Sequence, residues 1–231
     1  MNKRGIFITI EGGDGSGKTT MVKKLSKLLE EKCPDKEIKI YREPDYTTIY
    51  GREIKKYMGK NMFFSLPHAI QMSLMIRSSI ETRKEIKKDI ENGSIVICDR
   101  GCLSTYIYQI KKCPSILPLF NTLVNMIDIF PDYLLVMNLP YAVCCSRINR
   151  RGDNFNDYIP PQHVYDSYNN VQEIMNEKGM SFFSDKVKTI NLSDLIDVNN
   201  LKEENILDEK TKVDENKKLS DYLPEIFLNN I

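Results

Sequence analysis

The sequence predicts an α/β domain: a five-stranded parallel sheet with helices on both faces, a three-layer α/β/α architecture. Two patterns predict it. Apolar runs of strand length alternate with amphipathic runs of helix length from residue 5 to residue 191. Several strand runs, Ser94-Ile-Val-Ile-Cys98 among them, are continuously apolar, as in strands covered on both faces.

The elements follow in order. Gly5–Ile10 reads as the first strand. Lys18–Lys32 reads as a helix, with Val22, Leu25, Leu28 and Leu29 on one stripe. Glu37–Tyr41 is the second strand, and Thr48–Tyr57 a short helix. Pro67 suits a helix start, and the amphipathic pattern after it runs to Asn92, where Gly93 stops it. Ser94–Cys98 is the third strand. Helical segments are expected over Leu103–Lys111 and Ile116–Ile127, then a fourth strand over Asp132–Asn138. Helices over Ala142–Ile148 and Gln162–Lys178 precede a last strand near Val187–Asn191. Residues 1–198 therefore form one domain. Residues 199–231 form an extension whose first part is dense in Lys, Glu and Asp, lacks aromatics and reads as a solvated segment; a terminal helix is expected after it.

The junction between the first strand and the first helix is Gly12-Gly-Asp-Gly-Ser-Gly-Lys-Thr-Thr20. This is G-x-x-x-x-G-K-[ST] in the strand–loop–helix context that gives the pattern meaning, that of a P-loop nucleoside triphosphatase fold. Backbone N–H groups of Gly13, Asp14, Gly15, Ser16 and Gly17 point inward in such a loop and cradle phosphates, aided by the helix N-terminus. Lys18 can reach the β- and γ-phosphates. The Thr19 hydroxyl can hold Mg²⁺, with Thr20 beside it.

In a doubly covered parallel sheet, ligands bind beyond the carboxyl ends of the strands. Arg42 closes the second strand there, followed by Glu43 and Pro44. Asp99 and Arg100 follow the third strand: a carboxylate placed to help Thr19 hold Mg²⁺, and a guanidinium able to grip a phosphate bidentately. Arg77 lies on the long helix among Met72, Leu74, Met75 and Ile76: an arginine on an apolar face needs an anionic or hydrogen-bonding partner, and a plain surface arginine is the alternative. Arg147, Arg150 and Arg151 cluster just before Gly152. They could complement a helix C-terminus, or belong to a lid over about residues 147–160 that brings positive charge to a transferring phosphoryl group.

Composition narrows the alternatives. The chain has 231 residues, 41% hydrophobic and 28% charged, with a net charge of +1. That balance gives no ground for bulk attraction to nucleic acid or to a membrane surface. No apolar run approaches the ~18 residues of a membrane span. The six cysteines form no C-x-x-C pair and read as free thiols, so a cytoplasmic location is expected.

The ordered set of motifs resembles the thymidylate kinase family, in its bacterial-type lid arrangement. The resembling pieces are Phe7 to Thr20, Arg42-Glu-Pro44 with Gly51-Arg-Glu-Ile54, Asp99-Arg100 with Leu103-Ser-Thr105 and Tyr106-Ile-Tyr-Gln109, Pro131-Asp132, and Arg147 to Gly152. The resemblance implies Mg²⁺-dependent transfer of the γ-phosphate of ATP to dTMP by a homodimer. It implies an ATP site built from Gly12 to Thr20 with Arg147. Asp14 would contact the acceptor's 3′-hydroxyl or a metal-bound water, and Arg42 and Arg100, flanked by Glu43 and Pro44, would grip the monophosphate. Arg77 would reach the thymine carbonyl, with Ser73 standing where the family has a stacking phenylalanine. Ser104, Thr105 and Gln109 would approach the pyrimidine, Tyr108 would crowd the sugar 2′ position, and Tyr168 matches a tyrosine after the lid. One branch of the family carries its catalytic arginine in the loop; Gly15 occupies that position here, so the role would fall to Arg150 or Arg151. Other acceptors, a different deoxynucleotide or a nucleoside, fit the same motifs. So does a nucleotide-binding switch without transfer activity, although no Asn-Lys-x-Asp motif is present.

Overall fold

The computed structural model describes residues 4–60, 62–151, 160–177, 180 and 187–191. Its strands are β1 (Ile6–Gly12), β2 (Ile38–Arg42), β3 (Ile95–Asp99), β4 (Tyr133–Met137) and β5 (Lys188–Asn191). They form a parallel sheet in the order β2-β3-β1-β4-β5. The helices are α1 (Lys18–Lys32), α2 (Ile49–Gly59), α3 (His68–Glu91), α4 (Cys102–Thr105), α5 (Leu117–Val124), α6 (Tyr141–Arg151), α7 (Gln162–Asn169) and α8 (Val171–Asn176).

Strand periodicity sorts side chains between two layers. Ile6, Ile8 and Ile10 of β1 pack with Ile95 and Ile97 of β3 and with Met21, Val22, Leu25 and Leu29 of α1. Phe7 points the other way, against Val96 and Cys98 and against Ile86 and Ile90 of α3. Leu134 and Val136 of β4 join a larger cluster with α4, α5, α7 and α8. Phe7, Ile8 and Ile10 are fully buried, each contributing about 2 kcal/mol of apolar transfer.

Two helical segments differ from the sequence expectation. The segment expected over Leu103–Lys111 is one turn of α-helix followed by a π-helical turn over Tyr106–Ile110, where the Lys111 N–H donates to the Tyr106 carbonyl at 3.3 Å. The segment expected over Gln162–Lys178 breaks at Asn170, whose backbone leaves the helical region (φ −104°, ψ 35°). Asparagine competes for backbone partners and favours such ends. Residues 152–159 of the expected lid, the side chain of Arg151 and the expected extension over residues 199–231 lie outside the described residues. All six cysteines are free.

Register explains where the ligand edge is. Asp99 is level with Ile10 on one side and with Arg42 on the other. The ends of β2, β3 and β1 therefore finish side by side, with the glycine loop rising from the last of them.

Candidate active site

The loop after β1 is shaped by what lies against it. Gly15 has φ 79°, and a Cβ there would come within 2.5 Å of the Cys144 carbonyl of α6. A Cβ on Gly13 would come within 2.4 Å of the Tyr165 ring, whose hydroxyl donates to the Asp14 carbonyl at 3.0 Å. Glycine is required at both places by close approach. Tyr165 was not among the residues the sequence singled out; nothing local marks a tyrosine on α7 as a wall of the loop.

Lys18 is buried, and its Nζ donates to the Gly13 carbonyl at 2.8 Å, which curls it over the loop. Burial and the nearby Arg100 push its pKa down to about 8, against the pull of Asp14, Asp99 and Glu11. Thr19 is exposed, and its Oγ1 donates to Asp99 Oδ2 at 3.3 Å. The other carboxylate oxygen of Asp99 is buried without a hydrogen-bond partner, as is Ser16 Oγ. A hydroxyl beside an unsatisfied carboxylate oxygen at the mouth of a phosphate loop is a donor set that fits a Mg²⁺ ion completed by phosphates and water. Arg147 donates to the Gly15 carbonyl at 3.4 Å, and Arg150 is exposed on the last turn of α6.

Beside the loop opens a cavity of about 190 Å³. Arg42 and Arg100 line it together with Asp14. Arg100 has φ 74°, and among the described residues no other non-glycine residue has a positive φ; such backbone strain concentrates at functional sites. Its guanidinium pairs with Asp14 Oδ1 and donates to the Gly12 carbonyl at 3.1 Å and to Ser104 Oγ at 2.9 Å. Burial works against the Asp14 carboxylate, but Arg100, Lys18 and the Tyr108 hydroxyl at 3.1 Å outweigh it and hold its pKa below the usual value. Arg42 is exposed and rests over the Tyr46 ring, 5.4 Å from its centroid.

The remaining walls are apolar or aromatic: Met58, Phe63, Phe64, Met75, Tyr46 and Tyr108. Pro44, Ser104, Thr105 and Gln109 also line the cavity, as their motifs suggest. Glu43 lies in its wall with its carboxylate turned to Ser79 Oγ (2.6 Å) and Arg83 Nε (2.8 Å). Both members of the Arg83–Glu43 pair are 3% exposed. Charge buried this deeply demands a partner, and here it ties α3 to the segment that carries Arg42.

Three expected residues lie elsewhere. Arg77 is exposed and directed at Tyr50, donating to its hydroxyl at 3.0 Å, and it does not line the cavity. Ser73 does not line it either. Residues of an α-helix advance by about 100° each, so Met75 and Ser79, one turn apart, face the cavity while positions 73 and 77 face away. On the cavity side of α3 stand Met75 and Ser79, not the expected Ser73 and Arg77. Tyr168 is buried behind the cavity, its hydroxyl 2.8 Å from Ser104 Oγ and 3.4 Å from Glu11 Oε2. Glu11 also accepts from the Ser104 N–H at 3.2 Å. Burial raises its pKa to about 7, despite the lowering effect of Ser104, Arg100 and Lys18.

A family model described as thymidylate kinase matches residues 10–202. The thymidylate kinase of Gluconobacter oxydans is 32% identical over 164 residues, covering 68% of this chain and 74% of its own. The probable thymidylate kinase of Pyrococcus abyssi is 32% identical over 154 residues, covering 65% and 73%. That of Ureaplasma parvum is 27% identical over 197 residues, covering 82% and 86%. The crystal structure of thymidylate kinase from Ehrlichia chaffeensis superposes with a TM-score of 0.60 over 85% of this chain and 94% of that one, at 24% identity, a likeness of fold. Among the described residues, no helix is long and apolar enough to cross a membrane.

Proposed function

Because this chain belongs to the thymidylate kinase family of ATP-dependent phosphotransferases, we propose that it transfers the γ-phosphoryl group of Mg·ATP to dTMP, giving dTDP and ADP. The observation that carries this reading is that Arg42 and Arg100 both line the cavity beside the phosphate loop. A nucleoside acceptor gives no reason for two guanidiniums at that place; a monophosphate does.

In this reading the loop amides and Lys18 hold the β- and γ-phosphates of ATP. Thr19 and Asp99 hold Mg²⁺, which supplies charge neutralisation at the phosphate oxygens. Arg42 and Arg100 fix the acceptor phosphate. One of its oxygens, already ionised, attacks the γ-phosphorus as the bond to the bridging oxygen of ADP breaks, so no strong base is needed. Alignment and charge neutralisation supply the rate. Asp14, held by Arg100 and Tyr108, serves the sugar 3′-hydroxyl, and the Tyr108 ring crowds the 2′ position. Arg150 or Arg151 brings further positive charge to the transferring group. Arg151→Ala should then lower turnover far more than substrate binding.

A homodimer is part of the same proposal. Ile49 and Ile70, 62% and 49% exposed on neighbouring helices α2 and α3, supply apolar surface for it. Light scattering that returns a monomer mass at micromolar concentration would remove this part.

The test of the reaction is ADP production with dTMP, dUMP, dCMP, dGMP and thymidine as acceptors. Preference for dTMP supports the reading. Faster turnover of thymidine would replace it with a nucleoside kinase. ATP binding without turnover on any acceptor would favour a nucleotide-dependent switch.

A further inference from the structure

With Arg77 turned away from the cavity, the only cations in the described lining are Arg42 and Arg100, at the phosphate end. Away from them the polar lining is Ser79, Thr105 and Gln109, and Ser79 already donates to Glu43. Gln109 is 3% exposed and held in a chain of three side chains.

That chain fixes which end of each amide is which. Gln71 Nε2 faces two backbone carbonyls, Leu66 at 2.6 Å and Phe64 at 3.4 Å. A carbonyl cannot donate, so the amide N–H₂ of Gln71 must be the group at that place. Its Oε1 therefore faces Gln109 and accepts from Gln109 Nε2 at 3.1 Å. Gln109 Oε1 is left facing His68 Nδ1 at 3.1 Å. Two acceptors would repel, so His68 carries its proton on Nδ1. The second hydrogen on Gln109 Nε2 has no protein partner among the described hydrogen bonds.

We propose that His68 is a positioning residue for base selection: by donating Nδ1–H to Gln109 Oε1 it locks the Gln109 amide so that an N–H, not a carbonyl, faces the acceptor base. A locked donor favours a base presenting a carbonyl at that edge, as thymine does, over one presenting an amino group, as cytosine does. The discrimination comes from an unpaired buried polar group with the wrong base. The inference rests on the proposed function in one respect, that the cavity holds a nucleotide base. The π-helical turn carrying Gln109 and the first residue of α3 are brought together by this bond.

The test measures affinity for dTMP and dCMP by calorimetry, with turnover in parallel, for the wild type and for His68→Ala, His68→Asn and His68→Asp. The wild type should prefer dTMP. His68→Ala should shrink that preference about three- to tenfold, the worth of one hydrogen bond, by raising KM for dTMP while kcat and KM for ATP stay within about twofold. Asparagine keeps an N–H donor and should restore the preference. Aspartate offers only acceptors, turns the Gln109 amide over and should push the ratio below that of the alanine variant. A purely structural His68 would make asparagine and aspartate behave alike, and that result overturns the proposal. Nitrogen NMR of the wild type gives a reading that no variant can spoil: a neutral His68 ring without a proton on Nδ1 also overturns it. A wild type that binds both nucleotides equally, or neither, overturns the positioning role. Preferential dTMP binding without phosphoryl transfer overturns the reaction and leaves the positioning role standing.

Discussion

At Lys18 the same burial that aims the ammonium at the loop lowers its proton affinity, to about 8. Removing it should cost catalysis about 10²–10³-fold in kcat for Lys18→Ala, the scale of one preorganised electrostatic donor. The charged form is the one that binds phosphate, so kcat/KM for ATP should decline as pH rises through about 8, since that ratio reports the free enzyme. A kcat/KM that stays flat to pH 9.5 would contradict it. Glu11 titrates with a consequence for stability. Its pKa is raised by burial from 4.5 to about 7, so the native state holds a proton that the unfolded chain has released. Its contribution is fully present below pH 4.5 and is lost as pH rises through about 7. Glu11→Gln keeps an acceptor for Ser104 and removes the titration, so unfolding free energy should fall less steeply between those pH values than in the wild type. Chemical denaturation at several pH values reads this directly.

At the scale of elements, α3 shows what the sequence holds and what it hides. Its buried side includes Met72, Ile76, Ser79, Arg83, Ile86 and Ile90, alternating by four and three residues. The expectation that an arginine on the apolar face must have a partner is sound, but Arg83, not Arg77, is on that face. The sequence carries the seven-residue spacing from Ile76 to Arg83 and on to Ile90, but the residues next to Arg77 are locally apolar too, and that local signal points to the wrong arginine. Arg83 Nη1 also donates to the Ile129 carbonyl at 2.9 Å, so one guanidinium joins three segments. Arg83→Met should therefore destabilise the fold by about 3–5 kcal/mol, because it strands Glu43 as a buried charge. Adding Glu43→Gln should recover part of that loss. Equal stability of the single and double variants in urea would show that the carboxylate is not what makes the loss large. Helix ends were less legible than helix existence: α1 matches its expected span, whereas the π turn has no local signal, and the break at Asn170 rests on a single asparagine, a weak signal inside a long amphipathic run.

Across the whole molecule, sheet order does what the linear sequence cannot display. The loop motif, the Arg42 segment and the Asp99-Arg100 pair are readable separately, and the ligand-edge rule places them on one side of the sheet. That β3 lies between β2 and β1 is what makes them neighbours. Arg42 and Ile10 are both level with Asp99, so the Arg42 segment, the Asp99-Arg100 pair and the glycine loop leave three neighbouring strand ends at one level. Two sites built so close on one rigid sheet can be filled by a single molecule. A compound joining adenosine to thymidine through a short polyphosphate should raise the melting temperature more than ATP and dTMP added together at the same concentration, since the second binding event becomes intramolecular. If Arg100 grips the acceptor as proposed, Arg100→Ala should remove most of that extra rise while leaving the rise from ATP alone largely intact. A linked compound that stabilises no better than ATP would mean that the cavity and the loop do not serve one reaction.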